Sequence, residues 1–381
     1  MQQPPPIMGR RRYRLSDVVA MVCTPCAVLL YVHLSVVSYT AEKVQLQQSS
    51  LRTSRGPEHP EQQISREEGT NQSERYLHSC FSDLPLSPPQ KVPLGPPLNI
   101  TPRGAPEQLL FTPILQSGSS SVKNLLGFLK TENHFKLISE PPQKTLIVHI
   151  DKEEVKARIV NTTAHMRGAT ALVHSFAYLD FPKYGGRQPV QVSVVREPVD
   201  RAVALFYRAR APYQVVERHV LFPDLELPKR NFLKKSIEAC LDDPQDKECR
   251  RHVGRTHFGH TIEFFCGHHP QCAKFGSAEA LALAKRHVEK SYAVVGLLEE
   301  WPLTLAVLER YVPRFFANVT AKYYDKIHGK QFFMNKNFYK PKVAPWVRAE
   351  IARNMTVEVA FYNFLKERLK RQYAALFRAN D

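Results

Sequence analysis

Acidic residues are in short supply. The chain has 36 Asp and Glu against 53 Lys and Arg, a net charge of +17 at pH 7. That imbalance argues against a cationic partner and favours a polyanion: nucleic acid, an anionic membrane surface or an acidic polysaccharide. No internal repeat is present, which excludes solenoids and propellers. The small-residue loop Gln116-Ser117-Gly118-Ser119-Ser120-Ser121 lacks the second Gly and the Lys of a GxxxxGK[ST] phosphate loop. Zinc-ligand spacing is also missing: His268 and His269 fall between Cys266 and Cys272, a weak match to any zinc framework. Long apolar runs are scarce too, with one exception at the N-terminus.

That exception is the mostly apolar run Val18 to Ser38, long enough to span a bilayer and preceded by Arg10, Arg11, Arg12 and Arg14. The positive-inside rule keeps residues 1–17 cytoplasmic and sends the rest across, making 18–38 a signal anchor. A cleaved signal peptide is the rival, and the length of the run argues against it. Residues 39–107 are polar, then proline-dense from Pro85 to Pro106, and form a semi-extended stem. The folded body is expected over 108–381. Two features fit a lumenal or extracellular body. Sequons stand at Asn71, Asn161, Asn318 and Asn354, with a poorer one at Asn99 next to Pro102. Cys240 and Cys249, and Cys266 and Cys272, form close pairs that suit short-loop disulfides in an oxidising compartment. A metal site using His268 and His269 is the alternative for the second pair. Cys80 is left over, free or joining two chains. The span, sequons and paired cysteines disfavour a nucleic-acid-binding protein.

Strand signals alternate with helix signals along the body. The apolar run ending at Ile114 leads through the Ser-rich loop into Leu125, Leu126 and Leu129 at helical spacing. Strands are expected at Lys144–Ile150, Thr170–His174, Pro189–Val195 and Ala293–Leu298. Helices are expected over Lys152–Val160, after Pro198, over Ala278–Lys290 with Ser277 as cap, over Pro302–Tyr311, and over Val347–Phe377. Such alternation predicts an α/β fold with a mostly parallel central sheet flanked by helices. Ligands in such sheets bind beyond the carboxyl ends of the strands. Both the Ser-rich loop and the Arg196 turn hold that position. A loop that opens a helix turns backbone N–H groups toward an anion; an ordinary Ser-rich surface turn is the alternative.

Four segments together carry a resemblance. They are Leu179-Asp180-Phe181 with Tyr184-Gly185-Gly186, Val195-Arg196-Glu197-Pro198-Val199-Asp200-Arg201, Phe265-Cys266-Gly267-His268-His269-Pro270-Gln271-Cys272, and Val295-Gly296-Leu297-Leu298-Glu299-Glu300. With the strand–loop–helix at Leu110 to Lys130, they resemble Golgi carbohydrate sulfotransferases with a P-loop-like domain. Within these the chain is most similar to the heparan sulfate 2-O-sulfotransferase, uronyl 2-sulfotransferase and Pipe group, over about Leu109 to Leu369. The resemblance implies the co-substrate 3′-phosphoadenosine 5′-phosphosulfate and no metal. Ser117, Gly118, Ser119, Ser120 and Ser121 would cradle the 5′-phosphosulfate, Arg196 would hold the 3′-phosphate, and Lys336 and Lys340 would clamp phosphates from a late loop. The acceptor would be the hydroxyl of a uronic acid in an anionic glycan. A Golgi membrane location, lumenal catalysis and a homotrimer are implied on the same basis.

The departures fall at the chemistry. Related enzymes carry Lys where Gln116 stands and Arg where Pro113 stands. Their catalytic His is four residues before the Leu-Asp-Phe step, which is Ser175 here; His174 lies one residue earlier. Ala204 stands where a Ser contacts the 3′-phosphate. His174 and Gln116 are therefore the candidate catalytic residues of an active enzyme. A catalytically inactive paralogue that binds glycans or partner proteins is the second reading.

Overall fold

The computed structural model describes residues 98–145, 147–243, 246, 249, 260–329 and 340–378. Five strands, β1 (Ala105–Thr112), β2 (Lys136–Ser139), β3 (Thr170–Val173), β4 (Pro189–Val195) and β5 (Tyr292–Leu297), form one sheet in the order β2-β3-β1-β4-β5. Every pairing is parallel, with Leu110 opposite Leu172 on one side and Gln191 on the other. Helices of ten or more residues are α1 (Ser119–Glu132), α2 (Glu153–Ala164), α3 (Pro198–Arg210), α4 (Pro212–Leu221), α5 (Ala278–Ser291), α6 (Trp301–Tyr311), α7 (Pro345–Asn354) and α8 (Thr356–Arg378).

β4 and β5 are buried along their whole length, as parallel strands covered on both faces must be. β1 separates the two layers by its period of two. Leu109 and Phe111 join the core cluster of Leu125, Leu126 and Leu129 from α1. Leu110, between them, joins Val160, Phe176, Leu179 and Phe181 in another. Pro198 starts α3 without sacrificing a hydrogen bond, and the Glu197 carboxylate accepts from the Val199 and Asp200 N–H groups. The Ser277 hydroxyl caps α5 by accepting from Ala280 N at 3.1 Å.

Two expectations change. Lys144–Ile150 is not a ladder strand; only Val148 makes an isolated bridge, to Phe176. Beyond it the Ile150 N–H donates to the His268 ring Nδ1 at 3.2 Å, so a side chain replaces the ladder partner. The edge strand is instead β2, too short and too exposed to show a period. The terminal helical stretch also divides, at Met355, into α7 and α8. Among the described residues no helix is long and apolar enough to cross a membrane. The expected span at 18–38 and residues 39–97 of the expected stem lie outside them, while residues 98–107, also expected as stem, carry the helical turn Thr101–Arg103 and the first residues of β1.

Candidate active site

The sheet topology brings the carboxyl ends of β3, β1 and β4 side by side. From β1 the chain enters the loop 113–118, where Ile114 is fully buried. The Ser119 hydroxyl accepts from Ile114 N at 2.8 Å and donates to Ile114 O at 2.7 Å, closing the loop on itself. Gln116 has φ +65° and Gly118 φ +83°. A Cβ on Gly118 would stand 2.8 Å from Leu298 Cδ1, which would have to shift, and the positive φ is what favours glycine there.

Two successive loop carbonyls are drawn toward α3. Arg201 Nε donates to Leu115 O at 3.0 Å, and Arg196 Nη1 reaches Gln116 O at 3.5 Å. The Ser121 N–H donates to Gly118 O at 3.0 Å; the N–H groups of Ser119 and Ser120, ahead of it, precede any helical acceptor, and the dipole there favours an anion. The serines divide by role. Ser119 braces the loop, Ser120 is exposed, and Ser117 and Ser121 are buried. The buried Ser117 hydroxyl has no hydrogen-bond partner among the described residues.

Arg196 follows β4 directly. Its Nε lies 4.0 Å from Glu299 Oε1, and the same oxygen accepts from Glu197 N at 3.0 Å. The Tyr362 hydroxyl donates to Glu299 Oε2 at 3.0 Å. Asp200 pairs with Arg348 at 2.5 Å. Burial raises the Asp200 carboxyl, but the Arg348 hydrogen bond and the charges of Arg348, Arg196 and Lys340 outweigh it, and the group sits below its usual range. Burial, reinforced by the charge of Arg196, pulls the Lys340 ammonium down. Arg196, Lys340 and Arg348 thus converge on the start of α3. Lys336 lies outside the described residues.

His174 follows β3 and is tied to β1, its N–H donating to Phe111 O at 3.1 Å. The ring Nδ1 lies 2.8 Å from Glu140 Oε2, with the side chain 37% exposed. Glu140 Oε1 accepts from Ser175 N at 2.6 Å. Burial alone raises Glu140; the bonds from His174 and Ser175 win, and its carboxyl is held below the usual range. Ala204 is buried inside α3 and offers no hydroxyl. Glu140 and Arg348 carried no sequence signal, and Glu299 only its place in the resemblance segment Val295 to Glu300, because each acts on a residue remote in the chain.

The Cys240–Cys249 and Cys266–Cys272 disulfides are both formed, which removes their sulfurs from metal binding. His269 Nδ1 accepts from Gln271 N at 3.3 Å. His268 is pushed down to about 4, first by burial and then by the nearby positive charge of Lys156. His149 Nε2 lies 2.7 Å from Glu263 Oε1. Of the sequons, Asn161 is exposed on α2 and Asn318 is exposed with φ +62°. The Asn354 amide donates to Glu350 O at 3.1 Å. Asn71 lies outside the described residues.

Residues 105–364 match the family model described as "Sulfotransferase family". The chain is 29% identical over 291 residues to the uronyl 2-sulfotransferase homolog pip of Drosophila melanogaster, covering 73% of this chain and 55% of that protein. It is 29% identical over 283 residues to uronyl 2-sulfotransferase of Homo sapiens, covering 73% and 66%. Against heparan sulfate 2-O-sulfotransferase 1 of Gallus gallus the identity is 26% over 279 residues, covering 72% and 73%. The chain therefore spans between about half and two thirds of the length of the first two relatives.

Proposed function

Because this chain belongs to the sulfotransferase family, we propose that it transfers a sulfuryl group from 3′-phosphoadenosine 5′-phosphosulfate to a hydroxyl of an anionic glycosaminoglycan, the 2-O position of a uronic acid. The carrying observation is the convergence of the helix-opening loop and the Arg196–Lys340–Arg348 cluster at one end of the sheet. The Ser119 and Ser120 N–H groups that open α1 bind the 5′-phosphosulfate. Arg196, steadied by Glu299, holds the 3′-phosphate with a guanidinium fork, and Lys340 adds a second cation.

His174 is the group available as base. With Nδ1 facing Glu140, its Nε2 is left to take the acceptor's proton. Transfer is in line: the acceptor oxygen bonds to sulfur as the sulfur–phosphate oxygen bond breaks, and the pair of electrons leaves with the phosphate. Gln116 hydrogen-bonds at that end without supplying charge. The basic surplus of the chain suits the polyanionic acceptor. The same reading makes this a type II Golgi protein with its body in the lumen, glycan on exposed Asn161 and Asn318, and a homotrimer by likeness to its group.

A second reading has its own support. Gln116, Ser175 and Ala204 replace three groups that the resemblance leads one to expect, and the His174 shift falls among them. On that reading the chain keeps the donor fold and binds glycan or protein without turnover. Incubating the full chain with radiolabelled donor and desulfated heparosan or dermatan separates the two. Transfer above an Arg196→Ala background supports the enzyme; donor-product binding without transfer supports the inactive paralogue.

A further inference from the structure

A row of rings leads from the helix-opening loop to the surface. At its inner end Trp301, the first residue of α6, is buried, and its Cζ3 would stand 3.6 Å from a Cβ on Gly118. Tyr323, also buried, has its ring centroid 5.6 Å from that of Trp301. It closes the short helix Val319–Tyr323, and the chain passes directly into a π-helical turn, Tyr324–His328. Turns of this kind recur at functional sites. The Tyr324 ring lies 5.3 Å from Tyr323 and 5.2 Å from His328, and His328 lies 5.7 Å from Tyr323. Both neighbours meet Tyr324 at steep angles, 77° and 57°. The residue stays 50% exposed, so its ring is flanked by others and still open to a ligand.

The row stands at the donor end of the sheet. Asn133, the C-cap of α1, donates its side-chain amide to Ala317 O at 3.2 Å. Trp301 and Tyr323 meet beside Gly118, the N-cap of the same helix. The chain from Ala317 therefore climbs α1 from its C-terminal to its N-terminal end, and the π-helical turn comes last. The segment that carries Trp301 also faces the second phosphate subsite, since Arg196 Nε lies 4.0 Å from Glu299 Oε1. The two phosphate subsites thus flank Leu298 to Trp301, with Tyr324 one ring beyond Tyr323. A nucleotide that puts a phosphate at each must carry its base past them, onto flat apolar surface. We propose that Tyr324 is that surface, and that the adenine of the donor stacks on its exposed face. A ring already ordered by two others loses little freedom on binding. Stacking gives affinity for a base without naming which base. The proposal rests on the donor-site reading above.

Calorimetry on the full chain tests it with two probes. One is 3′-phosphoadenosine 5′-phosphate; the other is 1-deoxyribose 3,5-bisphosphate, which keeps both phosphates and has no base. Tyr324→Ala is expected to weaken the nucleotide roughly 10–100-fold and to leave the abasic probe unchanged. Tyr324→Phe keeps the ring and is expected to bind both probes as wild type does. Tm stays near wild type in both variants, because the side chain is exposed. The adenine H2 and H8 proton resonances are expected to move upfield on binding to wild type and Tyr324→Phe, and to stay in place with Tyr324→Ala. Unchanged nucleotide affinity in Tyr324→Ala, or an equal loss for both probes, overturns the proposal. So does a wild-type chain that binds the two probes equally well, which leaves the phosphate subsites standing without a base platform. A wild-type chain that binds neither probe overturns the donor-site reading itself.

Discussion

Glu140 holds the His174 ring at 2.8 Å with one carboxylate oxygen and the Ser175 backbone N–H at 2.6 Å with the other. One carboxylate therefore holds both the histidine that is present and the backbone of Ser175, where the resemblance leads one to expect a histidine. If His174 is the base, His174→Ala lowers kcat about 10²–10⁴-fold with little change in donor KM, and Glu140→Gln lowers it less. Initial-rate assays with radiolabelled donor check this. A fully active His174→Ala would remove His174 from the mechanism.

Gln116→Lys combined with Ser175→His returns a positive charge to the donor loop and a histidine to the family position. Turnover is expected to rise at least tenfold over wild type, since a single charge-stabilising group is worth about 10²–10³ in rate. A double variant no faster than wild type would show that the deficit lies elsewhere.

Arg196→Ala removes the cation that reaches the Gln116 carbonyl of the loop. A hydrogen bond to a charged group is worth about 1.5–3 kcal/mol, so affinity for 3′-phosphoadenosine 5′-phosphate is expected to fall about 10–100-fold. Glu299→Gln, which loosens Arg196 without removing it, is expected to cost less. Calorimetry ranks the three proteins. Equal affinity in all of them would mean that the nucleotide binds elsewhere.

Gly118→Ala puts a side chain at φ +83° and within 2.8 Å of Leu298 Cδ1. The strain is of order 1–3 kcal/mol, so Tm should fall and donor binding with it. Leu298→Ala in the same chain relieves the clash and not the backbone strain. A Tm that stays low in this pair identifies φ as the cause.

His149 is raised above its ordinary value, chiefly by its hydrogen bond to Glu263 and against the effect of burial. A raised histidine stabilises the fold at pH values below its unfolded pKa of about 6.5. That stabilisation fades as pH climbs through the higher folded value. Urea unfolding at pH 5.5 and 8.5 should therefore show a larger loss for His149→Gln at the lower pH. A loss independent of pH would mean that the pair acts through packing alone.

The legible parts were the runs that locate themselves. β4 reads from Pro189 to Val195 because a strand buried on both faces is apolar throughout. The start of α3 reads from Pro198, and α5 from Ser277, because capping is written in adjacent residues. Lys144–Ile150 misled for the same reason that β2 was hidden. A β-branched run signals extended chain, not a partner, and the partner at the sheet edge went to Lys136–Ser139. The loop serines were visible as a group, yet only the fold assigns Ser119 to bracing, Ser120 to the surface and Ser117 to the interior.

The sequence by itself determined the alternation of strands and helices, the basic surplus, the paired cysteines and the Ser-rich and Arg196 turns. These are local properties, set by side-chain period, backbone preference and composition. The tertiary structure decided which charges meet: Glu140 on His174, Glu299 on Arg196, and Asp200 on Arg348. Electrostatic pairing depends on distance in space and on burial, and neither is fixed by separation along the chain. The sequence marks where an anion would bind, and the folded chain supplies the carboxylates that hold its cations in place.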